Sequence, residues 1–178
     1  MKIFFALLLT FSSLLSATSN AASKAEIDAT ADETLKAFYK HSSAGKALAA
    51  KASGILVFPK VIKAGFGIGG EYGEGKLIVK GQSAAYYATA GASIGFQMGA
   101  QMKSQIILFM ESSALKSFRN SEGWKVGVDG SVAIANYGAG GEIDTKTMEQ
   151  PVIGFIFSNK GLMYDLSLEG SKFTKIAR

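Results

Sequence analysis

The chain has 178 residues, of which 48% are hydrophobic and 19% are charged, and its formal net charge is +5. This length suffices for a single domain with a sizeable core, and the absence of cysteine excludes disulfides and thiolate-bound metals. The positive charge is mild: it suits weak attraction to anionic surfaces but lacks the dense basic tract of a nucleic-acid-binding protein.

The first 21 residues have the pattern of a secretory signal peptide. Lys2 provides a positive start, residues 3–15 are mostly apolar, and residues 19–21 are small enough for a signal peptidase. The apolar run is shorter than the roughly 20 residues that span a bilayer. We therefore predict that residues 1–21 are removed and that residues 22–178 form one domain, exported to the periplasm or the cell surface. Its net charge is then 18 − 14 = +4, because only Lys2 is lost.

Membrane attachment through a lipidated residue is not expected, because a bacterial lipoprotein needs a cysteine just after the cleavage site and the chain has none. Any membrane contact should therefore be peripheral.

Residues 23–52 predict two amphipathic helices that break near Ser42 and Gly45. The apolar residues of the first helix recur at three- and four-residue steps along one stripe: Ile27, Ala31, Leu35, Phe38 and Tyr39. The two helices also carry four lysines: Lys36, Lys40, Lys46 and Lys51. These lysines either form ordinary solvated helix faces or contribute to a surface that faces lipid head groups.

The segment 54–75 is rich in glycine, and Gly65, Gly67 and Gly70 have the spacing of a dinucleotide-binding loop. That site needs a following helix, whereas a turn and a strand follow here, so a dinucleotide site is not expected. The pattern instead predicts a short strand that ends at Pro59 and a hairpin that turns at residues 72–75.

Residues 60–63 are predicted to form an exposed loop after Pro59. In this loop Val61 and Ile62 could insert between lipids while Lys60 and Lys63 meet phosphates. The alternative is an ordered loop whose two aliphatic side chains belong to the core.

The middle of the chain shows strict alternation, since every even position from Tyr86 to Met102 is apolar. The run is longer than a usual strand, so we expect a bend near its glycines or two strands in series. Residues 105–110 predict a buried strand, and residues 112–119 predict a short helix with a serine at its N-cap.

The last third of the chain predicts mainly strands. Residues 124–137 alternate, with Val128 on the inward face, residues 144–147 suggest a turn or an edge, and residues 151–157 and 162–168 form a hairpin. The predicted fold is α+β, with N-terminal amphipathic helices packed on a curved, glycine-rich antiparallel β-sheet that forms a sandwich or an incomplete barrel.

The chain offers little catalytic material, and we predict no catalytic, cofactor-binding or metal-binding residues. His41 is the single histidine, and the carboxylate pairs Glu71/Glu74 and Glu142/Asp144 are interpreted as polar turn residues. Asp129 interrupts an apolar face, so it either accepts hydrogen bonds from turn amides or lines a polar cavity.

The glycine-rich segment 54–75 resembles part of the SYLF domain, and the likeness continues over residues 30–176. Further segments carry the resemblance: 86–87, 95–99, 121–131, 138–141, 154–164 and 168–171. The resemblance implies a lipid-associated module that recognises anionic phospholipids, with phosphoinositides favoured in eukaryotic members. Many bacterial members are tethered through a lipidated cysteine, and this chain departs from that pattern.

The working hypothesis is a non-enzymatic, exported lipid-binding module that contacts anionic phospholipid head groups of the cell envelope. The expected contact residues come from the loop and the helices: Lys60, Lys63, Val61, Ile62, Lys36, Lys40, Lys46 and Lys51. No nucleic acid partner is expected. The alternatives are a soluble envelope scaffold or partner-binding protein, and a small outer-membrane β-barrel.

Overall fold

The computed structural model has the predicted α+β architecture, with N-terminal helices followed by a strongly curled sheet that forms a half-barrel. Of the two predicted sheet forms, the incomplete barrel is therefore the one observed. The structure describes residues 21–135, 143–158, 161–162, 168 and 170–178.

Two helices open the domain, as the periodicity predicted: α1 (Lys24–His41) and α2 (Ser43–Lys51). The hydroxyl of Ser23 accepts a hydrogen bond from the Glu26 amide at 3.2 Å, and the hydroxyl of Ser42 accepts one from the Gly45 amide at 2.7 Å. Each bond satisfies an amide that has no partner within its helix. The stripe of α1 that predicted a buried face packs on the sheet through Ile27, Ala31 and Phe38.

The sheet is dominated by one long antiparallel hairpin of β1 (Gly54–Val79) and β2 (Gln82–Phe109). Two predictions for this region are wrong. The strand does not end at Pro59, and the chain turns at Lys80 and Gly81, both at positive φ, rather than at residues 72–75. Pro59 is tolerated because it lies in a register shift between Phe58 and Val61, where a strand can do without an amide donor.

The glycines of β1 allow the hairpin to curl over itself. A Cβ atom on Gly73 would lie 2.6 Å from the carbonyl oxygen of Lys60, so the second half of β1 passes directly over its first half. The pairing also shifts between Gly65 and Gly67, opposite Gly99 and Gly95 of β2. The predicted bend near the glycines is therefore confirmed, and its physical basis is the close approach of two backbones.

The remaining elements are short: α3 (Ser112–Asn120), β3 (Trp124–Lys125), β4 (Ala133–Ile134), α4 (Thr145–Met148), β5 (Val152–Ser158), β6 (Gly161–Leu162) and β7 (Lys172–Ile176). β2 is the centre of the sheet, because it pairs with β1 along its length, with β5 near its end and with β7 near its start. Among the described strands, β4 and β5 form the parallel pair, and the other strand pairs are antiparallel.

Three further predictions need correction. Residues 124–137 do not form one strand, since a tight turn separates β3 from β4 and leaves Val128 72% exposed instead of inward. The N-cap of α3 is Glu111 rather than a serine. Residues 144–147 lie mostly in the short helix α4, for which Asp144 is the N-cap.

The predicted C-terminal hairpin is confirmed where β5 and β6 pair, and its residues 163–167 lie outside the described part of the chain.

Two cores lie on opposite faces of the sheet. On one face, Phe38 of α1 packs edge-on against Phe155 of β5, with ring centroids 4.7 Å apart. On the other face, Phe118 of α3 packs against Tyr87 of β2 at the same centroid distance, and it also contacts Trp124. The sheet is therefore covered on both sides over much of its length, which explains its continuously apolar segments.

Candidate functional site

The segment 60–63 lies inside strand β1 and is not the predicted loop. Its alternating side chains consequently face opposite sides: Val61 is fully buried, whereas Ile62 is 43% exposed. Lys60 is exposed and Lys63 is half-buried. Only one of the two aliphatic side chains predicted to meet lipids is therefore accessible, because Val61 belongs to the core beneath Gly73.

A groove of about 650 Å³ runs between α1 and β1, and Lys60 and Ile62 lie on its wall. Its remaining lining comes mainly from α1, β1 and the two ends of the described chain: Ala21, Ala22, Glu26, Ile27, Thr30, Glu33, Thr34, Pro59, Tyr72, Gly73, Glu74 and Arg178. Three of these residues carry carboxylates on their side chains. Lys60 therefore faces a mixed charge environment, and its attraction for an anion is weaker than that of an isolated lysine.

Glu74 lines this groove and has three partners. Its carboxylate accepts hydrogen bonds from the Ala22 amide at 3.2 Å and from the Tyr72 hydroxyl at 2.7 Å, and it pairs with the guanidinium of Arg178. Burial raises the pKa of Tyr72, and the hydrogen bond to Glu74 raises it further. Both ends of the described chain are thus fastened to the same strand.

Ile62 and Tyr72 line this groove, and Met102 pairs with Ile62, so these three exposed hydrophobic residues are here called the apolar patch. Tyr72 is 54% exposed and Met102 is 58% exposed, and Met102 lies directly opposite Ile62 in the β1–β2 register. Directly opposed residues of antiparallel strands place their side chains on the same face. The patch therefore joins two strands into one surface.

Sequence reasoning missed two members of the apolar patch. Met102 ends the alternating apolar run that begins at Tyr86, and Tyr72 belongs to the predicted turn at residues 72–75. Met102 could have been identified from its pairing with Ile62. That pairing can be predicted only if the position of the hairpin turn is known.

The four helix lysines of the prediction are exposed, Lys36 and Lys40 on α1 and Lys46 and Lys51 on α2. In the described ranges none of them forms an ion pair, and none lines the groove. Their convergence with Lys60 and Lys63 on one surface stays a prediction.

Two other lysines are buried in the sheet and have structural partners. Lys76 lies 2.8 Å from an oxygen of Asp32 and 3.3 Å from one of Asp28, so it fastens β1 to α1. Tyr86 and Ser83 of β2 also donate hydrogen bonds to Asp28, at 3.0 and 3.2 Å. The sequence pattern did not predict these contacts between α1 and the sheet.

The charges in this network shift each other's pKa values. Burial alone would lower the pKa of Lys76, but hydrogen bonds to Asp32 and Asp28 outweigh it, so the pKa is raised above its usual 10.5. Burial alone would raise the pKa of Asp28, but hydrogen bonds from Tyr86 and Lys76 bring it below 3.8. Both groups are therefore held in their charged forms.

The second buried lysine, Lys103, pairs with Glu71 at 2.7 Å, and the side chains are only 5% and 8% exposed. Glu71 also accepts a hydrogen bond from the hydroxyl of Ser171 at 2.9 Å. Glu71 and Glu74, considered together as a carboxylate pair in the sequence, thus have entirely separate partners. Each is held by cations and hydroxyl donors of its own.

The other polar residues singled out from the sequence have structural partners or lie on the surface. Asp129 accepts a hydrogen bond from the Lys125 amide at 2.6 Å, which confirms the first of its two interpretations. Asp144 caps α4 by accepting hydrogen bonds from the Thr147 hydroxyl at 2.6 Å and from the Thr147 amide at 2.9 Å, and these bonds lower the pKa of this aspartate. His41 is exposed at the end of α1, and Glu142 lies outside the described residues.

The described residues offer neither a metal site nor a membrane-spanning helix. No three histidine, cysteine or carboxylate side chains gather there into a possible metal site. No helix in those ranges combines the length and apolar character needed to cross a membrane.

Residues 90–177 match the family model described as Ysc84, Las17-binding protein actin regulator, which corresponds to the SYLF domain. The predicted family resemblance is thereby confirmed. This family consists of non-catalytic binding modules and is associated with lipid binding and with actin regulation. No curated protein matches the chain.

Proposed function

Since residues 90–177 belong to the Ysc84 (SYLF) family, we propose that this protein is a non-enzymatic module that binds anionic phospholipid head groups of the cell envelope. The observation that carries the proposal is the apolar patch of Ile62, Tyr72 and Met102. These are three of the five large hydrophobic side chains that are exposed in the described part of the chain. Clustered exposure of this kind is typical of surfaces that bind a membrane or a partner.

Apolar contact is needed because the lysines alone would bind weakly. Each lysine near an anionic membrane contributes about 1 kcal/mol, and Lys60 also faces the carboxylates of the groove. We assign membrane insertion to Ile62 and Met102, with Lys60 and Lys63 as the nearest head-group contacts. The helix lysines Lys36, Lys40, Lys46 and Lys51 are retained as secondary contacts, since all four are exposed.

We also propose that the protein is exported and bound peripherally to the periplasmic or outer surface of a membrane, without a lipid anchor. Cleavage after Ala21 would turn the Ala22 amide, which lies 3.2 Å from Glu74, into an ammonium group beside a carboxylate. N-terminal sequencing of the protein from fractionated cells should give Ala22 as the first residue. An intact N-terminus in the cytosolic fraction would contradict export.

Co-sedimentation with vesicles tests the lipid proposal. The protein should pellet with phosphatidylglycerol vesicles and much less with phosphatidylcholine vesicles. Ile62→Ser/Met102→Ser should weaken pelleting about tenfold, because the inserted apolar area is lost. Lys60→Gln/Lys63→Gln should weaken it by up to about twentyfold at low salt.

Val128→Ser is the matched control for the loss of exposed apolar area, since Val128 is 72% exposed and lies in the turn between β3 and β4. It should leave pelleting unchanged. Equal pelleting with both lipids, unaffected by the apolar and lysine variants, would overturn the proposal.

A second candidate function is recognition of a protein partner by the same patch in a soluble envelope scaffold. The family description favours it, because it names Las17-binding proteins. In that case the apolar variants would leave vesicle binding unchanged while they abolish a complex that the unmodified protein forms in the envelope fraction.

A further inference from the structure

A second cavity, of about 400 Å³, lies between α3 and the sheet, on the face opposite to α1. Three of its lining residues are cationic: Lys116 and Arg119 from α3, and Lys175 from β7. The rest of the lining comprises Ala85, Tyr87, Ser112, Leu115 and Asn120. None of these residues is acidic, which distinguishes this cavity from the groove beside α1.

The fold brings these cations together from distant parts of the chain. Lys116 and Arg119 are three residues apart on α3, so they share one helix face. Lys175 lies opposite Tyr87 in the β2–β7 register, which places both side chains on the sheet face that α3 covers. All three cations are exposed, and none forms an ion pair with a described residue.

Tyr87 adds a neutral hydroxyl group to the cavity. The residue is only 2% exposed and lines the cavity. Burial raises the pKa of Tyr87, and the positive charge of Arg119 acts in the opposite direction, so the hydroxyl lies within the field of that guanidinium.

Helix electrostatics explains only part of this arrangement. Arg119 lies in the last turn of α3, where the helix dipole favours cations, and Lys116 lies at the middle of the helix. The dipole does not account for Lys175, because this lysine lies on β7. Its ammonium group is repelled by the two positive charges of Lys116 and Arg119. A bound anion would remove that repulsion.

We propose that this cavity is a binding site for a phosphate group. Arg119 offers a planar pair of N–H donors, the two lysines offer point charges, and Tyr87, Ser112 and Asn120 offer neutral donors. A tetrahedral oxyanion with two charges can use donors from several directions. The same chemistry is presented by free phosphate and by a phosphomonoester lipid head group, and the site does not depend on insertion of the apolar patch.

Calorimetric titration of the full protein with inorganic phosphate at low ionic strength tests the site. Saturable one-to-one binding is expected. Lys116→Gln, Arg119→Gln and Lys175→Gln should each weaken it about fivefold, and the triple variant should lose it. Tyr87→Phe preserves the ring that packs on Phe118 and should weaken binding severalfold through loss of the hydroxyl alone.

The matched control also removes three positive charges, but from exposed lysines that do not line the cavity: Lys80→Gln/Lys125→Gln/Lys146→Gln. This control should retain phosphate binding within about twofold. Circular dichroism and thermal unfolding of every variant would show that a loss of binding is not a loss of the fold.

Vesicles distinguish the two sources of phosphate. If the protein binds phosphatidic acid vesicles but not free phosphate, and the triple cavity variant abolishes that binding, the site is confirmed and its ligand is a lipid. If free phosphate binds, the ligand is soluble or common to both. Binding of phosphate and phosphatidic acid that is unchanged in the triple variant, or absent throughout, would overturn the site. None of these outcomes decides the vesicle test of Ile62→Ser/Met102→Ser, so the two proposals can fail separately.

Discussion

The cations buried in the sheet and the cations around the α3 cavity differ in what faces them. Lys76 and Lys103 are nearly inaccessible, and each lies within 3 Å of a carboxylate oxygen. Lys116, Arg119 and Lys175 are exposed and face a cavity without a described carboxylate in its lining. A lysine therefore supports the fold where the tertiary structure places an acid beside it, and is available to a ligand where no acid is nearby.

The largest expected effect concerns the ion pair inside the curled sheet. Lys103→Met should lower the free energy of unfolding by about 3–5 kcal/mol, because it leaves Glu71 as a buried charge without its cation. Guanidinium denaturation followed by tryptophan fluorescence measures the change.

The double variant Lys103→Met/Glu71→Leu is the control for this prediction. It should recover most of the lost stability, since both desolvated charges are then gone. A Lys103→Met protein as stable as the unmodified one would contradict the structural role of the pair.

A smaller effect is expected for the network between α1 and the sheet. Lys76→Met should cost about 1–3 kcal/mol, because its hydrogen-bonded partners Asp28 and Asp32 are partly exposed and can be rehydrated. Urea denaturation gives the value. If Lys76→Met lost as much free energy of unfolding as Lys103→Met, exposure of the two carboxylates would not reduce the cost of removing the lysine.

The same network predicts an acid-sensitive contribution to stability. The pKa of Asp28 is lower in the folded protein than its unfolded value near 3.8. Its stabilising contribution is therefore complete above that value and is lost as the pH falls through the folded-state pKa. The stability difference between the unmodified protein and Asp28→Asn, measured by urea denaturation from pH 6 to pH 2, should shrink toward the acid end. A pH-independent difference would refute the prediction.

The smallest effect on stability is expected for the cavity cations. Lys116→Gln, Arg119→Gln and Lys175→Gln should each change the free energy of unfolding by less than about 0.5 kcal/mol. A slight gain is expected at low salt because mutual repulsion falls. Denaturation in buffers free of phosphate measures the change in the free energy of unfolding. A loss above about 1 kcal/mol would show that these residues support the fold, as Lys76 and Lys103 do.

Some of the fold could be predicted because its signals are local. The helical stripe through Ile27, Ala31 and Phe38 and the alternation from Tyr86 to Met102 each depend on the periodicity of a single element. Caps such as Ser23 depend on contacts three residues away. The same local reasoning placed the turn at residues 72–75, because glycine-rich turns and glycine-rich strand crossings have similar compositions.

The candidate site could be predicted only in part. Lys60 and Ile62 were found from their spacing, but the burial of Val61 follows from Gly73 passing over it, which no local pattern encodes. Met102 joins Ile62 only once the turn at Lys80 and Gly81 sets the register.

The helices, the alternating strands, the family and the number of lysines follow from the sequence alone. The tertiary structure sets which of these lysines lie beside an acid and which lie beside one another. Ser171 reaches Glu71 across 100 residues, and Tyr86 reaches Asp28 across 58. Interactions over such separations depend on how the sheet curls, and the energy of a charge depends steeply on its nearest neighbours and on its burial.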